Sequence, residues 1–163
     1  MKNIIILSLL LIAAAGLAAQ TGLYGVSYGD NLNKADSLMS QNGLVAWDVE
    51  GSLVKYSSEY NKLVESVILF VNPDTEIVAG WFVRYNRDNT EAQDKYVIDN
   101  LHRMHGEEVI VEKEKGKMSW IFDEARTVTA GYDELGSLCV YYYDSDFAQF
   151  FELPPSVRTG VEE

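Results

Sequence analysis

The stretch 67-VILFVNPDTEIVAGWFVRY-85 contains the pattern from which the fold is predicted. Residues 67–71 and 77–85 are rich in β-branched and aromatic side chains, which favour extended strands. The polar residues 72–76 lie between them, and Pro73 fits a turn because it cannot donate a hydrogen bond inside a sheet. The stretch is therefore interpreted as a β-hairpin.

The same order of features occurs again in the stretch 128-VTAGYDELGSLCVYYY-143. Residues 128–132 and 137–143 favour strands, and residues 133–136 are the polar turn between them. Two further β-rich runs precede each hairpin. The eight predicted strands are residues 44–48, 53–56, 63–71, 77–85, 108–112, 118–122, 128–132 and 137–143. Short polar turns join neighbouring strands, so the pairing is predicted to be antiparallel.

One helix is predicted before each group of four strands. The first begins at Asp30 or Asn31 and ends at Gly43. The second begins with residues 90–93 (TEAQ), which match a capping box, and ends at Gly106. Each helix has an apolar stripe that must pack on the sheet. The apolar positions are Leu32, Ala35, Leu38 and Met39 in the first helix, and Val97, Leu101 and Met104 in the second.

The spacing of the glycines indicates an internal repeat. The helix-ending glycines Gly43 and Gly106 are 63 residues apart, and the turn glycines Gly51 and Gly116 are 65 residues apart. We therefore predict an α+β fold of two αββββ repeats, with two helices on one face of a curved antiparallel sheet. The repeats are residues 20–85 and 86–146, and residues 147–163 are predicted to be a packed apolar segment and an irregular tail.

The first residues have the layout of a secretory signal peptide. Lys2 provides a positive start, an apolar run follows, and Ala18 and Ala19 are small enough for cleavage. The run is shorter than the roughly 20 residues of a membrane-spanning helix, so an uncleaved anchor is the less favoured interpretation. We therefore expect residues 1–19 to be a signal peptide and the protein to be exported, either periplasmic or secreted.

The charge of the chain argues against nucleic acid and anionic membranes as partners. The formal net charge is −12, and removal of Lys2 with the signal makes it one unit more negative. Such a protein repels phosphate groups, and no stable membrane insertion is expected after signal cleavage.

Cys139 is the only cysteine. An intramolecular disulfide is therefore impossible, and a buried strand thiol is expected.

Two features resemble known exported bacterial domains. The segment 25-GVSYG-29 before a capped helix looks like the opening of SmpA/BamE-type outer-membrane assembly proteins. The tandem αββββ plan resembles the β-lactamase inhibitory protein fold. This resemblance implies binding through the sheet face and loops rather than catalysis. The chain lacks the lipidated cysteine of the first family and the paired cysteines of the second, so no inhibitory target and no complex membership is transferred.

The aromatic strands supply the candidate binding residues, because side chains alternate across a strand. One set is Val78, Phe82, Leu138, Val140 and Tyr142, and the other is Trp81, Tyr85, Tyr141 and Tyr143. The first set is expected on the helix side because it is more aliphatic. The second is expected on the uncovered face, where Trp and Tyr side chains anchor interfaces. The competing interpretation is that these residues are core residues or cross-strand pairs.

No catalytic or metal site is predicted, and no cofactor is expected. His102 and His105, with Asp99 one turn earlier, resemble half of a metal site, but a closed zinc site needs four ligands. They are also explained as surface imidazoles at a helix C-terminus. Neighbouring acids at 107–108 and 144/146 do not show two carboxyls facing each other across a substrate. The acids at 123–124 and 133–134 are interpreted as turn residues.

The predicted function is that of an exported, non-catalytic binding or envelope-assembly module. Its open sheet face and adjoining turns would bind a protein, a peptide or a polymer, and a protein or peptide is the expected partner. The alternative is a small-molecule carrier or weak hydrolase that uses a cleft between the repeats. A preformed cavity would favour the carrier, and a closely packed junction would favour the binding module.

Overall fold

The computed structural model describes residues 21–58 and 60–151. The predicted signal peptide and residues 152–163 of the predicted tail lie outside the described residues.

The helices are α1, Leu32–Gln41, and α2, Glu91–His105. The strands are β1, Val45–Glu50; β2, Leu53–Ser57; β3, Val64–Asn72; β4, Ile77–Tyr85; β5, Ile110–Glu112; β6, Lys117–Ile121; β7, Arg126–Tyr132; and β8, Leu138–Asp144. Short 3₁₀ turns lie at Leu23–Gly25, Lys113–Lys115 and Ser145–Phe150. No helix in the described ranges combines the length and apolarity needed to cross a membrane.

All of these strands form one open antiparallel sheet, in the order β1-β2-β3-β4-β8-β7-β6-β5. Within each group of four, every strand pairs with its neighbour in the chain. The two groups meet where β4 pairs with β8, so the second strands of the two hairpins lie side by side at the centre. The predicted α+β class with an antiparallel sheet is confirmed.

The helix ends are set by the capping residues that the sequence indicates. Asn31 caps α1, and its side chain accepts a hydrogen bond from the backbone N–H of Asn33 at 3.0 Å. Thr90 and Gln93 form the predicted capping box of α2. Gly106 follows α2 with a φ of 93°, a conformation that glycine adopts readily.

Both helices pack against the same face of the sheet, which we call the helix side. Ala35 and Met39 of α1 and Val97 and Leu101 of α2 are buried in one cluster with the sheet residues of that face. A smaller cluster lies on the other face, which we call the open face because neither described α-helix covers it. Its buried members are Leu53, Ile68, Phe70, Phe82 and Cys139, with Tyr141 and Phe151 packed against them.

A bulge in β4 changes which side chains face the helices. Phe70 pairs with Gly80, but Val71 pairs with Val78, so Ala79 has no partner of its own. Val78 and Trp81 consequently lie on the same side of the sheet, although simple alternation places them on opposite sides.

The bulge overturns part of the predicted assignment of faces. Trp81 is 0% exposed and Tyr85 is 4% exposed, and both belong to the helix-side core. Their predicted place on the uncovered face is therefore wrong, as is the helix-side place predicted for Phe82. In β8, which pairs with β7 without a bulge, the alternation holds. Tyr142 lies on the helix side and Tyr141 on the open face, as predicted.

Phe151, the last described residue, packs onto the open face. Its ring centre lies 4.6 Å from that of Phe70 and 4.8 Å from that of Tyr143. Just before it, the carbonyl of Phe150 accepts a hydrogen bond from the hydroxyl of Ser52 at 3.4 Å. Within the predicted apolar segment, Phe151 therefore packs against the sheet.

Candidate functional site

The first candidate site lies on the open face of the second group of strands. Strand pairing aligns side chains in rows that cross β5, β6, β7 and β8. One row contains Ile110, Ser119, Thr129 and Tyr141, and the next contains Ile121, Thr127 and Tyr143. We call these seven residues the open-face surface.

The open-face surface combines exposed aliphatic side chains with aromatic rings. Ile121 is 60% exposed, and Ile110 is also exposed. Tyr141 and Tyr143 are half-buried, and their ring centres are 5.8 Å apart. The hydroxyls of Ser119 and Thr129 are hydrogen-bonded to each other at 3.1 Å. Such a surface can take up apolar groups and provide hydroxyls at the edge.

A shallow hollow adjoins this surface and is lined in part by Phe82, Tyr141, Lys117 and Cys139. Cys139 is buried, as predicted. Burial raises the pKa of its thiol to about 12. The thiol is therefore protonated at neutral pH, which makes it a poor nucleophile.

An ion pair between Arg84 and Asp133 stabilises the turn beside the hollow. Both side chains are largely buried. The carboxylate of Asp133 also accepts hydrogen bonds from the backbone N–H groups of Leu135 and Ser137, each at 2.9 Å. The interpretation of Asp133 as a turn residue is confirmed, and the pair has a structural role.

The second candidate site is a cleft of about 250 Å³ on the helix side, which we call the helix-side cleft. Its lining comes from separate parts of the chain: the first 3₁₀ turn, the end of α1, the segment before β3, the end of β4, and α2. The lining residues are Leu23, Tyr24, Asn42, Asn61, Leu63, Val64, Tyr85, Tyr96, Val97 and Asn100. The cleft therefore lies between α2 and elements of the first half of the chain.

Tyr24 enters this cleft from an unusual backbone conformation. Its φ of 65° and ψ of 11° lie in the left-handed region, which costs a non-glycine residue about 1 kcal/mol or more. Burial raises the pKa of Tyr24 to about 12, although its hydrogen bond with Tyr85 acts in the opposite direction. The pKa of Tyr85 is also raised, chiefly by burial. Both phenols are therefore protonated at neutral pH and can donate hydrogen bonds.

The structure separates the four predicted binding residues. Tyr141 and Tyr143 belong to the open-face surface. Trp81 lies in the core, where its ring is stacked on that of Tyr142 with centres 4.1 Å apart. Tyr85 lines the helix-side cleft. Two of the four residues thus share a surface, and the other two lie on the opposite side of the sheet.

His105 is partly buried in an aromatic cluster rather than standing on the surface. Its Nε2 lies 2.9 Å from the hydroxyl of Tyr142, which also accepts a hydrogen bond from the backbone N–H of Leu23 at 3.1 Å. The ring centres of Trp120 and Phe122 are 6.1 Å and 5.1 Å from that of His105. The interpretation of His105 as a surface imidazole is therefore wrong.

His102, the other histidine, also contacts the aromatic cluster. Its ring lies edge-on to Trp120 with centres 5.2 Å apart, and its Nδ1 is 3.5 Å from the carboxylate of Glu107. Within residues 21–58 and 60–151, no group of three or more His, Cys, Asp or Glu side chains is placed to hold a metal ion.

The buried position of His105 predicts a loss of stability in acid. Burial lowers its pKa from 6.5 to about 4. The unfolded chain binds this proton at a higher pH than the folded chain does, so stability falls as the pH is lowered from about 6.5 through about 4. Urea denaturation is expected to show that His105→Gln loses less stability between about pH 7 and about pH 4.5 than the wild type does, because glutamine does not titrate. An equal loss in wild type and variant would contradict the assignment.

Of the residues that line the helix-side cleft, only Tyr85 was predicted from the sequence to be a binding residue. The three asparagines of the cleft come from segments with no common spacing, so no motif marks them. The local signal that could have been used is Gly25 beside Tyr24, because glycine indicates an unusual turn of the backbone. Of the seven residues of the open-face surface, only Tyr141 and Tyr143 were predicted from the sequence to be binding residues.

Comparison with known proteins adds no family to these observations. No protein-family model matches the chain, and no significant match is found among curated proteins or among solved structures. Both candidate sites are therefore interpreted from their own geometry.

Proposed function

We propose that the protein is an exported, non-catalytic binding module whose protein or peptide partner docks on the open-face surface. The observation that carries the proposal is a sheet face on which the exposed Ile110 and Ile121 lie in the same cross-strand rows as Tyr141 and Tyr143. Exposed apolar side chains grouped with aromatic rings on one sheet face are typical of protein interaction sites.

The composition of the surface defines the kind of partner. None of its seven side chains is charged, so the partner contributes apolar groups at the centre of the contact. Ser119, Thr127 and Thr129 supply hydroxyls around the aromatic rings. Burial raises the pKa of Tyr141, so its hydroxyl remains a hydrogen-bond donor at neutral pH. Tyrosine is well suited to this role because it loses little conformational freedom on binding.

We also propose that the chain consists of two αββββ repeats. A helix precedes four strands in both halves, and the sheet order is symmetric about the contact between β4 and β8. In this proposal the open-face surface belongs to the second repeat, and the helix-side cleft lies between the helices of the two. Export rests on the signal-like sequence of residues 1–19.

Site-specific photo-crosslinking tests the docking surface. A photo-reactive amino acid at Thr127 of the full chain is expected to give one specific crosslinked partner in native cell envelopes. The same probe at Lys95, an exposed residue of α2, is expected to give no such product because α2 lies on the other side of the sheet. Mass spectrometry of the crosslinked band identifies the partner.

A matched pair of variants separates binding from non-specific capture. Ile121→Ser removes an exposed apolar group from the surface and is expected to reduce the crosslink at Thr127 severalfold. Val111→Ser removes a similar exposed group from β5, but Val111 pairs with Met118 on the helix side and should leave the crosslink unchanged. Equal products from Thr127 and Lys95, or a crosslink insensitive to Ile121→Ser, would argue against the proposal.

A further inference from the structure

The helix-side cleft has the polar lining of a small-molecule site, and it lies on the opposite side of the sheet from the open-face surface. Three side-chain amides line it: Asn42 after α1, Asn61 before β3, and Asn100 on α2. Tyr85 is almost fully buried and lies deep in the cleft, whereas Tyr96 is 60% exposed at its mouth. Hydrogen-bonding and aromatic groups thus surround one cavity.

None of the described residues that line the cleft carries a formal charge. This is unusual for a chain with a net charge of −12. A charged ligand would lose its hydration in the cleft without gaining an opposite charge, which is unfavourable. The lining therefore favours an uncharged ligand.

The amides of Asn61 and Asn42 retain hydrogen-bonding capacity. That of Asn100 is engaged within α2, where its oxygen accepts a hydrogen bond from Arg103 at 3.1 Å and its nitrogen donates to the sulfur of Met104 at 3.6 Å. The side-chain oxygen of Asn61 accepts a hydrogen bond from the N–H of Leu63 at 3.1 Å, and within the described residues its side-chain nitrogen makes none. The side-chain nitrogen of Asn42 donates to the carbonyl of Leu38 at 2.8 Å, which orients that amide. An amide offers a donor and an acceptor on one planar group. A ligand hydroxyl, which both donates and accepts, matches this chemistry.

The backbone at Tyr24 is an independent sign of a binding site. Tyr24 is held at a φ of 65°, and its carbonyl accepts a hydrogen bond from Asn42 at 3.4 Å. The N–H of the following Gly25 donates to the carbonyl of Gly22 at 3.2 Å, which helps to hold the turn. Non-glycine residues kept in this region are concentrated at functional sites, because the surrounding structure must maintain them.

We infer that the helix-side cleft binds a neutral saccharide of one or two rings. The cavity of about 250 Å³ is slightly smaller than the range of about 300–1,000 Å³ typical of small-molecule sites, so it suits one sugar ring with a second at the mouth. The amides of Asn42 and Asn61 bind ring hydroxyls, and the exposed ring of Tyr96 stacks on the apolar face of the sugar. This activity is additional to partner binding on the open face.

Ligand-observed NMR on the full chain tests the inference with defined probes. The neutral probes are glucose, galactose, N-acetylglucosamine and maltose, and the charged comparators are glucosamine and glucuronic acid. At millimolar concentrations, at least one neutral probe is expected to show saturation transfer, and its affinity is expected to exceed that of both comparators about tenfold. Absence of transfer for every neutral probe, or tighter binding of a charged comparator, overturns the inference.

Two exposed tyrosines provide a matched pair of variants for the neutral probe that binds. Tyr96→Ala removes the ring at the mouth and is expected to weaken binding about tenfold. Tyr60→Ala removes a ring that is 87% exposed beside Asn61 but outside the lining, and it is expected to leave the affinity unchanged. Both positions are exposed, so the fold should survive. Equal effects of the two substitutions would place the binding elsewhere and overturn the inference.

Discussion

Replacement of Trp81 by alanine is expected to lower the free energy of unfolding by about 3–5 kcal/mol, a large part of the total stability of a small domain. The side chain is wholly buried at the centre of the sheet. Its ring is stacked on Tyr142 at 4.1 Å and lies 5.1 Å from Tyr28. Its removal leaves a cavity that the rigid central strands cannot close. Urea denaturation followed by far-ultraviolet circular dichroism measures the loss.

Two comparisons distinguish packing from other causes of the Trp81→Ala effect. Trp81→Phe is expected to cost less than half as much, because the buried Nε1 of Trp81 has no hydrogen-bond partner among the described residues and its loss breaks no bond. Tyr143→Ala, on the open face, is expected to cost about 1 kcal/mol. Similar losses from Trp81→Ala and Tyr143→Ala would contradict the assignment of the two faces.

Gly80→Ala is expected to lower the free energy of unfolding by about 2–3 kcal/mol. A Cβ atom at this position would overlap the backbone carbonyl oxygen of Tyr142 and would lie 2.7 Å from ring carbons of Phe151. The carbonyl belongs to β8, so it cannot move away without disturbing the pairing between β4 and β8. The same denaturation experiment measures the loss.

The Gly80→Ala effect has a rescue test and a matched glycine. Phe151→Ala removes the overlapping ring but leaves the carbonyl, so the double variant is expected to regain little stability. At Gly131, an added Cβ would meet Cγ of Lys117 at 3.1 Å and the carbonyl of Gly116 at 3.2 Å. Gly131→Ala is therefore expected to cost less than about 1 kcal/mol. Full rescue by Phe151→Ala would show that only the aromatic ring requires the glycine.

The features predicted correctly from the sequence depend on residues close together in the chain. The capping box of Thr90 and Gln93 lies within one helical turn. The carboxylate of Asp133 binds the backbone two and four residues ahead. Such interactions are independent of the rest of the fold, so the sequence pattern is sufficient to predict them.

For the central strands, the sheet face on which each side chain lies was predicted correctly only where the alternation of side chains along the strand is unbroken. In β8, alternation separates Tyr141 from Tyr142 as expected. In β4, the bulge at Ala79 brings Val78 and Trp81 to one side. Gly80 is the local sign of this change, since a glycine inside a strand is typical of a bulge or of a close approach by another backbone.

The sequence by itself determined an α+β chain with two capped helices and strands joined by short turns, because propensity, alternation and capping act locally. Only the tertiary structure decided which aromatic residues are covered. Trp81 pairs with Tyr142, which is far away in the chain. The bulge beside Gly80 determines on which face of the sheet each later side chain of β4 lies. The helix-side cleft is likewise a product of packing, since Tyr24, Asn61 and Asn100 meet only after both helices have docked on the sheet.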